Sequence, residues 1–355
     1  MTDAASMQTI TLKFRLRDRH SRELSRQTRA VNFVWNYLNE TQRKAVTSGR
    51  AWLTAFDLQK LTNGSSAELG IHAHTIQRIC RVYDDVRKAK KRPWLRWRGK
   101  RSLGWVPFNT GHVTFDGAVF KFRGETYAPM HLREVIQAGM KISAGSFNQD
   151  ARGRWYLNVP VAQAVSPTHD GPSVGVDLGL KDLAVLSDGA TVKAPRLYRA
   201  SEERLATAQR ARKTKRAKSI HAKIANRRKD FLHKASAKIA KSYGLVVVGD
   251  VSPTKIAKSP FAKSSLDAGW GTLKTMLAYK TIRYGGRMIE VSEAFSSQIC
   301  SACGSLPSSR PRGIADLGIR DWTCSDCGAA HSRDVNAARN ILRSGLATLV
   351  EGAGA

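Results

Sequence analysis

The chain has 355 residues, with 59 Lys and Arg against 28 Asp and Glu and a formal net charge of +31. That length admits two or three domains with a sizeable core, and so large a cationic surplus is the footprint of a polyanion-binding protein, with nucleic acid the leading partner. No apolar run approaches the ~20 residues of a spanning helix, and no secretory signal opens the chain, so a soluble, cytoplasmic, nucleoid-associated protein is expected and a membrane protein is not.

From Gln8 to Arg17 apolar Ile10, Leu12, Phe14 and Leu16 alternate with polar and basic residues, the period of a half-exposed strand. From about Ser21 the spacing turns helical at Val31, Val34, Trp35 and Leu38, and again at Ile76, Ile79, Tyr83 and Val86. The second helix runs into a stretch with nine basic residues and no acid: Arg87, Lys88, Lys90, Lys91, Arg92, Arg96, Arg98, Lys100 and Arg101, with Trp94 and Trp97 interleaved. Cations can track phosphates while indoles stack on bases, so this stretch is predicted to contact nucleic acid.

Between Val113 and Val161 the pattern is β. Asp116-Gly117 marks a hairpin turn, and Lys141–Phe147 and Trp155–Val161 flank a second turn at Asp150–Gly153. With the first strand these segments predict a small antiparallel barrel interrupted by the helices of residues 21–90, and Pro167–Pro172 reads as a linker. Then Ser173–Leu180 is a buried strand holding Asp177, followed by strands at Leu183–Leu186 and Ala190–Val192. Residues 196–241 carry 16 Lys and Arg against three acids, with an apolar stripe at Ile220, Ile224, Phe231, Ala235 and Ile239. They predict one long helix docked on the sheet by that stripe, with Arg212, Lys213, Lys215, Arg216, Lys218, Arg227 and Arg228 facing nucleic acid. A strand at Tyr243–Val248, a loop at Ser252–Lys263, a helix through Leu273, Leu277 and Tyr279, and a strand at Arg287–Val291 ending near Glu293 complete an RNase H-like order with acids at strand ends.

Cys300-x-x-Cys303 and Cys324-x-x-Cys327 form two knuckles able to aim four thiolates at one Zn²⁺, a closed structural zinc ribbon; Cys80 is left over.

Val174-Gly-Val-Asp177-Leu-Gly179, the ribbon introduced by Phe295-Ser-Ser-Gln-Ile-Cys300, and Arg333-Asp334-Val-Asn-Ala-Ala338 together resemble the OrfB/TnpB proteins of bacterial insertion sequences, relatives of the type V CRISPR nucleases. The resemblance implies a β-barrel wedge domain (1–20 and 105–165) with a helical recognition insertion (21–104), a RuvC nuclease domain (173–293 and 328–345), a zinc ribbon (294–327) and a tail (346–355). It implies an RNA-guided DNA endonuclease that hydrolyses phosphodiesters with two Mg²⁺ or Mn²⁺ ions. Its partners are a guide RNA from the transposon end and a double-stranded DNA target beside a short motif, with a separate transposase encoded by the same element.

Asp177 matches the family's first catalytic acid and Asp334 its last. The middle acid departs from the pattern, because Gly249 stands where the family has Glu. Asp250, next in the strand, points to the opposite face, whereas Glu293 could reach across from the neighbouring parallel strand into the space a glycine leaves. Without either, the chain is a binding-only, RNA-guided regulator. A transposase acting directly in strand transfer is a further reading.

Overall fold

The computed structural model describes residues 7–132, 136, 141–165, 168–251, 267–312, 316 and 318–353. The loop expected at Ser252–Lys263 and Pro167 of the expected linker lie outside them. The chain divides into two compact units, Met7–Gln163 and, for the most part, Ala164–Ala355.

In the first unit, β1 (Met7–Arg15) buries Leu12 and Phe14 and exposes Lys13, as alternation dictates. Helices α1 (Ser21–Thr47), α2 (Ala55–Leu61), α3 (Ser66–Leu69) and α4 (Ala73–Ala89) follow. A Thr54/Asp57 capping box opens α2, which sequence periodicity alone does not reveal. The remaining strands are β2 (Trp105–Phe108), β3 (Thr114–Phe115), β4 (Phe120–Phe122), β5 (Glu125–Tyr127), β6 (Gly145–Gln149) and β7 (Trp155–Ala164). Gly117, at φ +99°, turns β3 into β4, and the Asp116 carboxylate accepts from the amides of Ala118 and Val119.

The expected barrel does not close. The sheet order is β1-β7-β6-β2, and β3-β4-β5 is a separate sheet joined to the end of β1 by a single bridge, Leu16 to Pro129. Helices α1 and α4 pack against the edge strand β2, so its apolar side chains find helical partners instead of a strand that would complete a ring.

The second unit is built on β8 (Ser173–Asp177), β9 (Asp182–Leu186), β10 (Thr191–Lys193), β11 (Leu245–Gly249) and β12 (Arg287–Val291). Their order is β10-β9-β8-β11-β12; β8/β9 and β9/β10 are antiparallel, β8/β11 and β11/β12 parallel. Among the described residues the further α-helices of this unit are α5 (Glu202–Arg210), α6 (Thr214–Ser242), α7 (Trp270–Arg283) and α8 (Arg333–Ala353).

The single long helix expected over 196–241 is two, broken where Arg212 takes φ +51°. The stripe lies wholly on α6 but serves two cores. Ile220 and Ile224 pack on Leu205 and Ala208 of α5, while Leu232 and Ile239 join the core under the sheet with Leu273 and Leu277 of α7. The described part of the expected linker is held in place, with the His169 amide bonded to Gly285 O at 3.0 Å and its ring Nε2 2.9 Å from Lys241 O. The expected tail is helical to Ala353.

Candidate active site

Three parallel strands deliver their carboxyl ends to one edge of the sheet. Val176 of β8 is level with Val248 of β11, and Gly249 with Val291 of β12. Open α/β sheets bind ligands at this edge. Asp177 ends β8 in the middle of the sheet, and α8 lies across that strand.

The close approach of α8 depends on Gly175, where a Cβ would sit 2.0 Å from the carbonyl oxygen of Ala338. This brings Asp334, in the first turn of α8, into the cleft occupied by Asp177. Glu293 lies two residues past β12, and its side chain turns back over Gly249: a Cβ there would meet Glu293 Oε2 at 2.9 Å and Glu293 Cβ at 3.1 Å. The cleft, about 880 Å³, is lined by Asp177, Glu293 and Asp334 together with Arg320, Arg333 and Trp270.

Electrostatics register this convergence. Burial pushes the Asp177 carboxyl up to about 7, and the neighbouring Asp334 and Glu293 charges add to it against the opposing pull of Arg333 and Arg320. Glu293 is raised too, by burial first and then by Asp250, with Lys274 opposing. Asp250 plays a different part from the three: its Oδ1 accepts the Glu293 amide at 3.1 Å, and its own amide bonds to Val291 O at 2.8 Å, so it fixes the turn that aims Glu293. Glu290, of the opposite parity, pairs with Lys274 at 2.6 Å.

Several contributors escape sequence reasoning. Arg320 Nη1 bonds both carboxylate oxygens of Asp334, at 3.1 and 3.2 Å. Asn336 Nδ2 donates to Ile299 O at 2.7 Å and its Oδ1 accepts the Ser301 amide at 2.8 Å; Asn340 Nδ2 donates to Ser296 O and Ile299 O at 2.8 and 2.7 Å. These amides clamp the segment between Glu293 and the first knuckle onto α8. The only signal in the sequence is their i, i+4 spacing beside Asp334.

The four cysteine sulfurs come within 4.8 Å of one another. Cys300 and Cys327 Sγ are 3.7 Å apart, and Cys303 and Cys324 Sγ 3.9 Å. Zn–S bonds of ≈ 2.3 Å at tetrahedral angles give an edge of about 3.8 Å, so the donor set and spacing fit zinc, whereas a disulfide requires ≈ 2.05 Å. Strands β13 (Asp321–Thr323) and β14 (Ala330–Ser332) pair beneath the knuckles, and His331 Nε2 lies 3.0 Å from Cys300 Sγ.

The basic segment of the first unit is pinned along α1. Asn39 exchanges two bonds with the backbone of Leu95 (2.9 and 2.8 Å), Asn36 two with Arg98 (both 2.8 Å), and Trp35 Nε1 donates to Arg96 O at 3.1 Å. Leu95 is buried in consequence, while Trp94, Arg96 and Trp97 face solvent along with Lys90, Lys91, Arg92, Lys100 and Arg101.

Three of the cations expected to face nucleic acid are engaged internally, and a fourth is paired at the surface. Arg87 is a correction: it is 1% exposed, paired with Asp84 at 2.6 Å and bonded to Leu53 O at 2.8 Å. Arg98 is half-buried against Asn32 and Leu103 O, and Arg228 pairs with Asp267. Lys88 is exposed but its Nζ lies 2.8 Å from Asp84. In the second unit Arg212, Lys213, Lys215, Arg216, Lys218 and Arg227 are exposed.

Residues 270–341 match the family described as "Cas12f1-like, TNB domain", and residues 157–260 match OrfB_IS605, described as "Probable transposase". A Streptomyces pristinaespiralis protein named "Putative RNA-guided DNA endonuclease" is 31% identical, over 98% of this chain and 92% of its own length. "Putative RNA-guided DNA endonuclease InsQ" of Escherichia coli K12 is 32% identical, over 56% of this chain and 56% of its own. Among solved structures, the "Cryo-EM structure of the Cas12f1-sgRNA-target DNA complex" aligns at 17% identity and a TM-score of 0.40, over 94% of this chain and 99% of that one.

Proposed function

Because the chain belongs to the OrfB/TnpB family of RNA-guided DNA endonucleases, we propose that it cuts guide-matched DNA with Asp177, Glu293 and Asp334 as the catalytic carboxylates of an RNase H-like (RuvC) domain. The sheet order β10-β9-β8-β11-β12, with three parallel strands ending at the cleft, supports that fold. The observation that carries the site is Glu293, whose carboxylate occupies the space that a side chain at position 249 would fill. The family's middle acid has in effect moved from β11 to the turn after β12.

The donor set fits Mg²⁺ or Mn²⁺, since it consists of hard carboxylate oxygens, and a shared cation would offset the Asp334 and Glu293 charges that raise the Asp177 carboxyl. When bound, the ions activate the attacking water and stabilise the leaving oxygen. Asp177, Glu293 and Asp334 would hold them. Arg320 holds the Asp334 carboxylate in the cleft, and Asp250 aims Glu293 through its backbone amide.

A guide RNA and its DNA target are the partners this reading requires. Base pairing would read sequence, while the exposed cations around Trp94 and Trp97 and along α6 would follow phosphates. An element encoding this protein would carry its strand-joining transposase separately.

The test is cleavage of a guide-matched plasmid in Mg²⁺ by protein loaded with its copurifying RNA. Asp177→Ala and Asp334→Ala should each lower cutting by at least about 10³-fold with RNA binding intact. Retained cutting in either variant overturns the site. Glu293→Gln should fall comparably and Asp250→Asn less; loss in Asp250→Asn alone assigns the middle acid to Asp250. Target binding without cutting by the wild type would establish the regulator reading instead.

A further inference from the structure

Three histidines of the first unit meet where the nuclease reading has no use for them. His72 is the N-cap of α4, His74 lies in its first turn, and His112 sits on the loop between β2 and β3, 38 residues later in sequence. One ring nitrogen from each comes within 4.8 Å of the others, and all three residues are half-buried. The ring centroids lie 5.0 Å (His72 to His74), 5.3 Å (His72 to His112) and 4.1 Å (His74 to His112) apart. Asn109 Nδ2 donates to His74 O at 3.3 Å and ties the loop to the helix.

We propose that His72, His74 and His112 form a tri-histidine site for a divalent transition metal of the Zn²⁺, Co²⁺ or Ni²⁺ type, separate from the ribbon. Three imidazoles without a carboxylate suit these borderline ions and not Mg²⁺ or Ca²⁺. Gln77 completes the arrangement. Its Oε1 lies 2.9 Å from His74 Nδ1, and with the amide so assigned the ring proton sits on Nδ1, leaving the Nε2 lone pair for a metal. Burial first, and then the neighbouring imidazole of His74, lower the proton affinity of His72 and His112 from the ordinary histidine value. Arg123, whose charge reaches His72, is bonded to Gly70 O at 3.0 Å.

Zn–N bonds of ≈ 2.0–2.1 Å place tetrahedral nitrogens about 3.4 Å apart, so the rings must draw together from their present spread. Half-exposed rings do so by side-chain rotation. One bond is exchanged in the process. His72 Nδ1 accepts from the His74 amide at 3.1 Å; coordination through Nδ1 takes that lone pair, and coordination through Nε2 requires the proton on Nδ1. Either way the cap bond is lost, costing about fivefold in affinity. The bound ion then cross-links the Asn109–His112 loop to α4 and keeps a fourth position open.

The experiment titrates the full-length, zinc-loaded protein with Co²⁺, followed by visible absorption and calorimetry. The expected result is one equivalent of cobalt with nitrogen-type d–d bands and no thiolate-to-cobalt charge transfer. His112→Ala should weaken uptake at least about tenfold with zinc content and circular dichroism unchanged. If that variant does not fold, His74→Phe keeps the ring stack while removing a ligand, and should show the same loss. No uptake by the wild type, uptake carrying the thiolate band, or equally tight uptake by the folded variants overturns the proposal.

Discussion

At the scale of single residues, the pairing of Gly249 with Glu293 makes a reciprocal prediction. If one carboxylate position can be supplied from either strand, Gly249→Glu alone should be poorly active, because its Cβ would press on Glu293 at 2.9–3.1 Å. Combining Gly249→Glu with Glu293→Ala should restore cutting at least about tenfold over Glu293→Ala, measured on the same guide-matched plasmid. A double variant no better than Glu293→Ala alone would show that the two positions do not share one carboxylate site.

Asp177 supplies a pH dependence. Its folded proton affinity is raised to about 7 by burial and by Asp334 and Glu293, whereas an unfolded Asp titrates near 3.9. Between about pH 4 and 7 the folded chain holds a proton that the unfolded chain has released. The stability from this group is therefore full below pH 4, falls as pH rises and is gone above 7. For the metal-free protein, Asp177→Asn should raise the melting temperature at pH 8 by about 4–8 °C, on the order of 2 kcal/mol for a partly exposed carboxyl. The difference should shrink toward pH 4, and thermal scans across pH that show it growing toward acid would contradict this account.

At the scale of elements, α8 is the part on which the cleft depends. It presents Asp334, clamps the segment after Glu293 through Asn336 and Asn340, and lies on β8 closely enough that Gly175 has no room for a methyl group. Gly175→Ala should cost about 3 kcal/mol, since the obstructing atom is backbone and cannot swing aside. Cleavage should fall with it as Asp334 moves off Asp177. An unchanged denaturation midpoint would mean that the helix shifts without penalty.

At the scale of the molecule, the four-cysteine cluster lies in sequence between two of the proposed catalytic acids. Glu293 lies seven residues before Cys300 and Asp334 seven after Cys327, so a zinc-held ribbon would constrain the chain on both sides of the cleft. Stripping zinc with a chelator should expose residues 292–342 to protease and lower cutting even in excess Mg²⁺, and readding zinc should reverse both. Protease resistance unaffected by chelation would remove the metal from this role.

The sequence by itself determined the strand pattern of the second unit, because alternation and short apolar runs report which side chains are buried. It determined that the four cysteines of the two C-x₂-C pairs gather at one point, and it offered a physical reason for the proposal that Glu293 replaces Gly249. Tertiary structure alone decided the rest. Whether strands close into a barrel depends on what covers β2, and those helices come from a distant stretch of chain. Arg87 reads as one more cation in a basic run, yet it is buried on Asp84 because the helix turns it inward. Arg320 meets Asp334, and His112 meets His72 and His74, only when loops fold back. Local pattern reveals which residues are buried or charged; which of them meet is fixed by packing.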